Sequence, residues 1–310
     1  MNKIIILGAG TMGRGIAVTC ACTDSEIFLF DSNPDVLSQA SRMIEASSQA
    51  LLQSNPEFKQ HKLNNRIHIV SDYRPHLKDT DIIFEVVVEK PEVKKEVFAN
   101  LSEEIEQHTV IGSNTSSLDI FSLAPDSIQE QLVITHFFNP PYIVPLVELV
   151  HGPKTSDQSI TIFKDILEKA GMTCVELKKY IPGFLINRLQ WAIQREAMSL
   201  IDKGITTPEG IDEAVKLTFG VRLPVLGLMA RVDYAGLDIV ASVQSNPLAK
   251  IEPNNELPQC LANKLQKNEY GVKSGKGFYD YSGKNHQELV EEIDSKLIAM
   301  RHALKKMNLI

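Results

Sequence analysis

This sequence predicts a doubly wound α/β domain followed by an all-helical one, and three observations carry the prediction. Short β-branched and apolar runs alternate with helix-length segments from Lys3 to Leu177, the pattern of a mostly parallel sheet flanked by helices. The first run opens directly onto a Gly-x-Gly-x-x-Gly turn, and the second ends on an acid. Beyond Pro182-Gly183 only helical periodicity remains. These observations give an N-terminal Rossmann-type domain over residues 1–181 and a helical C-terminal domain over 182–310.

Bulk properties narrow the function. The 310 residues are 43% hydrophobic and 23% charged, a globular composition. A net charge of −7 without a basic block argues against nucleic acid as a partner and leaves a small-molecule substrate. The four cysteines are too scattered for a disulfide framework, and no His cluster completes a metal site, so no metal is expected. The first apolar run is too short for a signal-peptide core, and every other run is too short for a membrane span. The expected compartment is cytoplasmic.

Taken in order, Lys3 to Leu7 is a strand, and Gly8-Ala9-Gly10-Thr11-Met12-Gly13 follows it. Gly8 permits a tight turn, Gly10 lets the backbone approach a pyrophosphate, and Gly13 lets the next helix, Arg14 to Cys22, approach the strand. That helix start supplies amide donors for phosphate. Glu26 to Phe30 is the second strand. Asp31 ends it, 18 residues after Gly13, placed for ribose hydroxyls and repelling a 2′-phosphate, which favours NAD over NADP.

A helix is expected from Asn33 to Gln53, with Pro34 at its start. Strands follow at Arg66 to Val70 and Asp81 to Val88. Glu89-Lys90-Pro91-Glu92 then opens a helix bearing Lys94. Thr109 to Ser113 is a strand ending at Asn114-Thr115-Ser116-Ser117-Leu118-Asp119, where Ser116 and Asp119 have capping-box spacing and Asn114 reads as a turn residue. His136 ends the run Leu132 to Ile134 and Thr135. Glu148 interrupts Leu146 to Val150, a run apolar enough to be a buried strand. A buried carboxylate needs a partner, and His136 is the candidate. Such a pair suits proton abstraction from an alcohol, although each residue alone also reads as structural. Gly8, Asp31, Glu89, Asn114 and His136 all fall at or just past strand ends, the edge where doubly wound sheets bind ligands.

Gly171 to Leu177 is a last strand. Helices are expected over Phe184 to Lys203 with Gly204 as its cap, from Thr207-Pro208 to Gly220, and around Asp233 to Gln244, Cys260 to Gln266 and Gln287 to Met307. Asn187 lies in the first turn of the first of these and by spacing alone reads as a solvated residue. Gly271 to Gly277 lacks phosphate-loop spacing and reads as a lysine-bearing turn or short hairpin.

Together, the fingerprint with Asp31, Asn114-Thr115-Ser116-Ser117, His136-Phe137-Phe138-Asn139-Pro140, Glu148, Pro182-Gly183-Phe184-Leu185-Ile186-Asn187-Arg188 and Gly275-Lys276-Gly277-Phe278-Tyr279 resemble the L-3-hydroxyacyl-CoA dehydrogenases over nearly the whole chain. The resemblance implies NAD as cofactor, His136 as general base and Glu148 as the carboxylate that orients it. It implies that Ser116 and Asn187 bind the oxygen on C3 and that Asn139 lies beside the substrate. Gly8, Gly10, Thr11, Met12, Gly13, Asp31, Glu89, Lys94 and Asn114 are implied on the cofactor side. It further implies fatty acid metabolism and a homodimer formed through the C-terminal domain. Pro140-Pro141-Tyr142, Pro145 to Val150 and Asn187-Arg188-Leu189-Gln190 also resemble L-gulonate 3-dehydrogenase (lambda-crystallin) and carnitine dehydrogenase, which oxidise a 3-hydroxyl without CoA. Gly227-Leu228 departs from the Gly-Pro usual in the acyl-CoA group.

Overall fold

The computed structural model of the chain describes residues 2–58, 63–245, 258–283 and 285–308. Its residues divide into two compact units, Met1–Ile186 and Asn187–Ile310. Among the described residues no helix is long and apolar enough to cross a membrane.

The first unit is built on one eight-stranded sheet. Its strands are β1 (Asn2–Leu7), β2 (Ser25–Phe30), β3 (Ile67–Val70), β4 (Ile82–Glu85), β5 (Val110–Ser113), β6 (Leu132–Phe137), β7 (Leu146–His151) and β8 (Thr173–Leu177), in the order β3-β2-β1-β4-β5-β6-β7-β8. All neighbours are parallel except β6 and β7, which run antiparallel and set His136 directly opposite Glu148. Four helices cover the sheet: α1 (Thr11–Cys20), α2 (Pro34–Ser54), α3 (Pro91–Glu104) and α4 (Asp157–Lys169). The pleat sends alternate residues to opposite faces. Ile4 and Ile6 of β1 join a core with Ile16, Val18, Ile44 and Phe163, while Ile5 and Leu7 join another with Phe98, Leu101 and Phe184. Burial on both faces is why these strands read as unbroken apolar runs.

The second unit contains α5 (Ile186–Asp202, which starts at the end of the first unit), α6 (Pro208–Leu226), α7 (Leu228–Ala235), α8 (Leu237–Gln244), α9 (Gln259–Gln266) and α10 (His286–Lys306). The turn at Gly271–Lys276 forms two isolated bridges, the short hairpin-like turn its lysines and glycines predict.

Several boundaries differ from those expected. The first helix begins at Thr11, inside the glycine motif, with Gly10 as its N-cap residue. The strand expected to reach Val88 stops at Glu85, and Val88 is exposed. No α-helix follows Ser116: a single 3₁₀ turn, Ile120–Ser122, is capped by Asp119, whose carboxylate accepts the amides of Phe121 and Ser122. Gly220 does not end its helix. The helix runs through it and through Pro224 to stop at Gly227, where φ is +73°, a left-handed conformation that glycine adopts without strain. The helix expected over Asp233 to Gln244 is two helices broken at Gly236, with φ of +91°.

Candidate active site

The glycine turn is shaped for close approach. Gly8 has φ of +113°, and a Cβ there would lie 2.5 Å from the carbonyl oxygen of Val86. At Gly13 a Cβ would lie 1.8 Å from the carbonyl oxygen of Gly8, so α1 can sit this close to the turn only without a side chain. Around Gly10, by contrast, there is open space, nothing lying within 4 Å of the Cβ position. Gly10 offers no side-chain cap, so the first amides of α1, at exposed Thr11, half-buried Met12 and buried Gly13, have no intrahelical acceptors. Amides at a helix start beside open space fit a dinucleotide's pyrophosphate. Asp31 stands next to them: its Oδ2 accepts the Ala9 amide at 2.8 Å and its Oδ1 the Asn33 amide at 2.9 Å. The buried Arg14 donates back to the Ala9 carbonyl at 2.8 Å, and burial lowers its pKa from the usual guanidinium value while Asp31 opposes that shift.

At the end of β4 a second network forms. Glu85 is fully buried and accepts both Lys94 Nζ (2.7 and 2.8 Å) and the Val87 amide (2.9 Å), with the Ser113 hydroxyl also donating to it. Lys94 is itself fully buried and reaches Glu89 at 3.3 Å. Glu89 in turn accepts the Thr115 hydroxyl (2.6 Å) and the amides of Ser116 (2.8 Å) and Ser117 (3.1 Å). Desolvation lifts the Glu89 pKa. The Thr115 hydrogen bond, the Lys94 charge and the two amides outweigh it and hold the carboxyl below its ordinary 4.5. Glu89 therefore fixes the backbone of the segment that carries exposed Ser116, and Lys94 reaches that segment through Glu89. Asn114 stitches β5 to β6, its Oδ1 accepting the Phe137 amide at 2.9 Å.

His136 and Glu148 are brought together. His136 Nδ1 lies 2.7 Å from Glu148 Oε2, with the imidazole nearly buried and the carboxylate wholly so. A carboxylate only accepts, so Nδ1 carries the proton and the Nε2 lone pair is left to take another. The other oxygen of Glu148 accepts the amides of Leu185 (3.0 Å) and Ile186 (2.8 Å) at the start of α5. The rings of Phe138 and Phe184 meet the imidazole edge-on, at centroid distances of 4.7 and 5.1 Å. Asn139 is exposed just beyond, at a cis peptide bond to Pro140. Asn187 is the second residue of α5, next in the chain to Ile186.

Sequence reasoning missed Glu85. Its signal was present, since it interrupts an apolar run as Glu148 does and so equally requires a partner. A second His–carboxylate pair, His151 with Glu176, lies at the opposite edge of the sheet, where His151 faces Val133 across the ladder. Among the described residues no group of His, Cys, Asp and Glu is arranged to hold a metal ion.

The family model for "3-hydroxyacyl-CoA dehydrogenase, NAD binding domain" matches residues 3–180, and that for "3-hydroxyacyl-CoA dehydrogenase, C-terminal domain" matches 183–281. A 5-formyl-3-hydroxy-2-methylpyridine 4-carboxylate 5-dehydrogenase of Mesorhizobium japonicum is 31% identical, over 98% of this chain and 99% of its own. A probable 3-hydroxybutyryl-CoA dehydrogenase of Bacillus subtilis is 33% identical over 92% and 99%. Among solved structures, an enzyme of the first kind, described as an NAD⁺-dependent dismutase, superposes with a TM-score of 0.91 at 29% identity, covering 98% of this chain and 99% of that one.

Proposed function

The chain belongs to the 3-hydroxyacyl-CoA dehydrogenase family with NAD as its cofactor, and from that premise we propose that it interconverts an L-3-hydroxyacyl-CoA and the 3-ketoacyl-CoA. The observation that carries the reading is the His136–Glu148 pair. Its imidazole is anchored through Nδ1 to a carboxylate that is itself held by two backbone amides, which leaves Nε2 as the base.

NAD supplies the hydride acceptor, and the chain does the rest. Gly8, Gly10 and Gly13 would let the backbone approach the pyrophosphate, and the amides of Thr11, Met12 and Gly13 would be its donors. Asp31 would take the ribose hydroxyls. His136 Nε2 removes the hydroxyl proton as the C3–H bond breaks, and Glu148 stabilises the imidazolium that forms. From the motif match, Ser116 and Asn187 hold the oxygen on C3 and Asn139 adjoins the substrate. Glu89, Lys94 and Asn114 keep the cofactor side of the site in register through the hydrogen bonds described.

A second reading keeps the chemistry and removes CoA from the substrate. What favours its CoA-free part is the match to the pyridine-carboxylate dehydrogenase, whose named substrate carries no CoA and is acted on at a formyl group; the match spans 98% of this chain with a TM-score of 0.91. NADH oxidation with acetoacetyl-CoA, set against free keto acids, separates the two, and activity on the free acids alone would sink the CoA assignment. In either case His136→Gln should retain NADH affinity and lose at least about 10²-fold in kcat. Surviving turnover would mean that the base is another residue.

The reading includes a homodimer through the helical unit and, from the family alone, a cytoplasmic role in fatty acid metabolism. No residue of α5, α6, α7 or α9 is fully buried within the chain, and Leu217, Val221, Met229 and Ile239 are each more than half exposed. Apolar surface on this scale marks a protein interface.

A further inference from the structure

The turn between β8 and α5 holds a residue in a conformation that its chemistry disfavours. Gly183 and Phe184 are both left-handed, with φ of +80° and +53°. Glycine adopts this freely, whereas a bulky residue there is strained, and such strain persists only where the surroundings enforce it. Phe184 is also completely buried, although its neighbour Leu185 is 40% exposed.

Both halves of Phe184 lead to the same pair. Its amide closes the turn on the Ile181 carbonyl at 3.0 Å. The left-handed step then starts α5 so that two successive amides, of Leu185 and Ile186, converge on one oxygen of Glu148. The other oxygen holds His136. The Phe184 ring stands 5.1 Å from the imidazole, at 61°, and is backed by Tyr180 at 6.2 Å. Tyr180 in turn donates to the Ser117 carbonyl at 3.2 Å, beside Ser116. Phe138 meets the imidazole as well. The imidazole is therefore fixed by a hydrogen bond at Nδ1 and by two ring edges, and Phe184 supplies one edge while its backbone orients the carboxylate.

Resting on the assignment of His136 as base, we infer that Phe184 is a positioning residue for proton transfer, its ring setting the imidazole's orientation and its left-handed backbone setting that of Glu148. Its role is exercised through His136 and Glu148 and not by contact with substrate.

The test uses the full chain with Phe184→Leu, which keeps the apolar seat and loses the ring, and with Phe184→Met should the leucine variant not fold. A lowered kcat, by roughly 10- to 100-fold, is expected with KM and the NADH Kd within about threefold of the parent. In a Glu148→Gln background the same substitution should change kcat by less than about threefold, because the imidazole is already misdirected. A kcat within about threefold of the parent overturns the inference. So does a loss shared among kcat, KM and NADH affinity, or one that multiplies fully with Glu148→Gln. Failure of the base assignment is distinguished separately, since it shows as turnover surviving His136→Gln.

Discussion

Replacing Glu148 by glutamine tests the proposed proton transfer at its most constrained point. The carboxylate accepts three hydrogen bonds, from His136 Nδ1 at 2.7 Å, the Leu185 amide at 3.0 Å and the Ile186 amide at 2.8 Å. Glutamine has one accepting oxygen and one donating NH₂. If the oxygen faces the two amides, the NH₂ faces Nδ1, which must then accept, and the ring proton moves to Nε2. If the oxygen faces His136, the NH₂ meets two N–H donors in a fully buried place. Leaving two buried donors unsatisfied costs about 2 to 6 kcal/mol, so the first arrangement dominates. It puts the proton on the nitrogen that must act as base. Recovering the competent tautomer at a midpoint of about 4 kcal/mol lowers its population, and hence kcat, roughly 10³-fold. The comparable tautomer trap in serine proteases, asparagine for the triad aspartate, costs about 10⁴-fold. Single-turnover NADH oxidation reads the loss, and long-range proton–nitrogen spectra of the imidazole read the tautomer. A kcat within about tenfold of the parent, or an Nδ1–H tautomer that persists, would refute the reasoning.

Asp31→Ala removes the carboxylate beside the glycine turn, and the preference for NADH over NADPH in kcat/KM should fall roughly 10- to 100-fold; an unchanged ratio places the ribose elsewhere. Glu85→Gln leaves the buried Lys94 with Glu89, at 3.3 Å, as its remaining counter-charge, and the loss, at most about 3 to 5 kcal/mol, should lower the thermal midpoint by up to about 20 °C, whereas a drop under about 2 °C would show that the Glu85 pair contributes little. Glu89 has a folded pKa below 4.5, so the stability it contributes is present above that pH and is lost as pH falls through the folded value. Thermal midpoints measured between pH 6 and pH 3 should therefore fall less steeply in Glu89→Gln than in the parent, and parallel curves would count against the network around Ser116.

What the sequence disclosed was local or patterned at a fixed period. The glycine turn, its strand and Asp31 are nearly contiguous, and Gly8 and Gly13 are required by the backbone next to them. The β6–β7 pairing was legible because a charge inside an apolar run demands a partner and a histidine twelve positions earlier could meet it. What stayed hidden depended on groups far apart in the chain. Ser116 has the spacing of a helix cap, but its amide is taken by Glu89, 27 positions away, and Asp119 caps the turn instead. Gly220 carries a stop signal, yet its helix runs on to Leu226 and ends at Gly227. The left-handed Phe184 follows a Pro-Gly turn signal, yet nothing local says that a phenylalanine rather than the glycine alone takes positive φ.

Three carboxylates stand along the carboxyl edge of this sheet, and the way each is compensated decides what it can do. Asp31 is held by two backbone amides, which cannot titrate, and it remains partly open, so it suits a neutral polyol. Glu85 is buried and neutralised by Lys94, an ion pair that holds structure. Glu148 is buried against an imidazole, the one partner of the three with a second nitrogen through which a proton can be taken up. A proton that reaches His136 turns a neutral–anionic contact into an ion pair sealed from water, and the Leu185 and Ile186 amides keep the carboxylate from rotating away as it does so. On the proposed reading the proton transfer falls to His136, because the other two acids are compensated by a lysine and by backbone amides while Glu148 alone is paired with an imidazole.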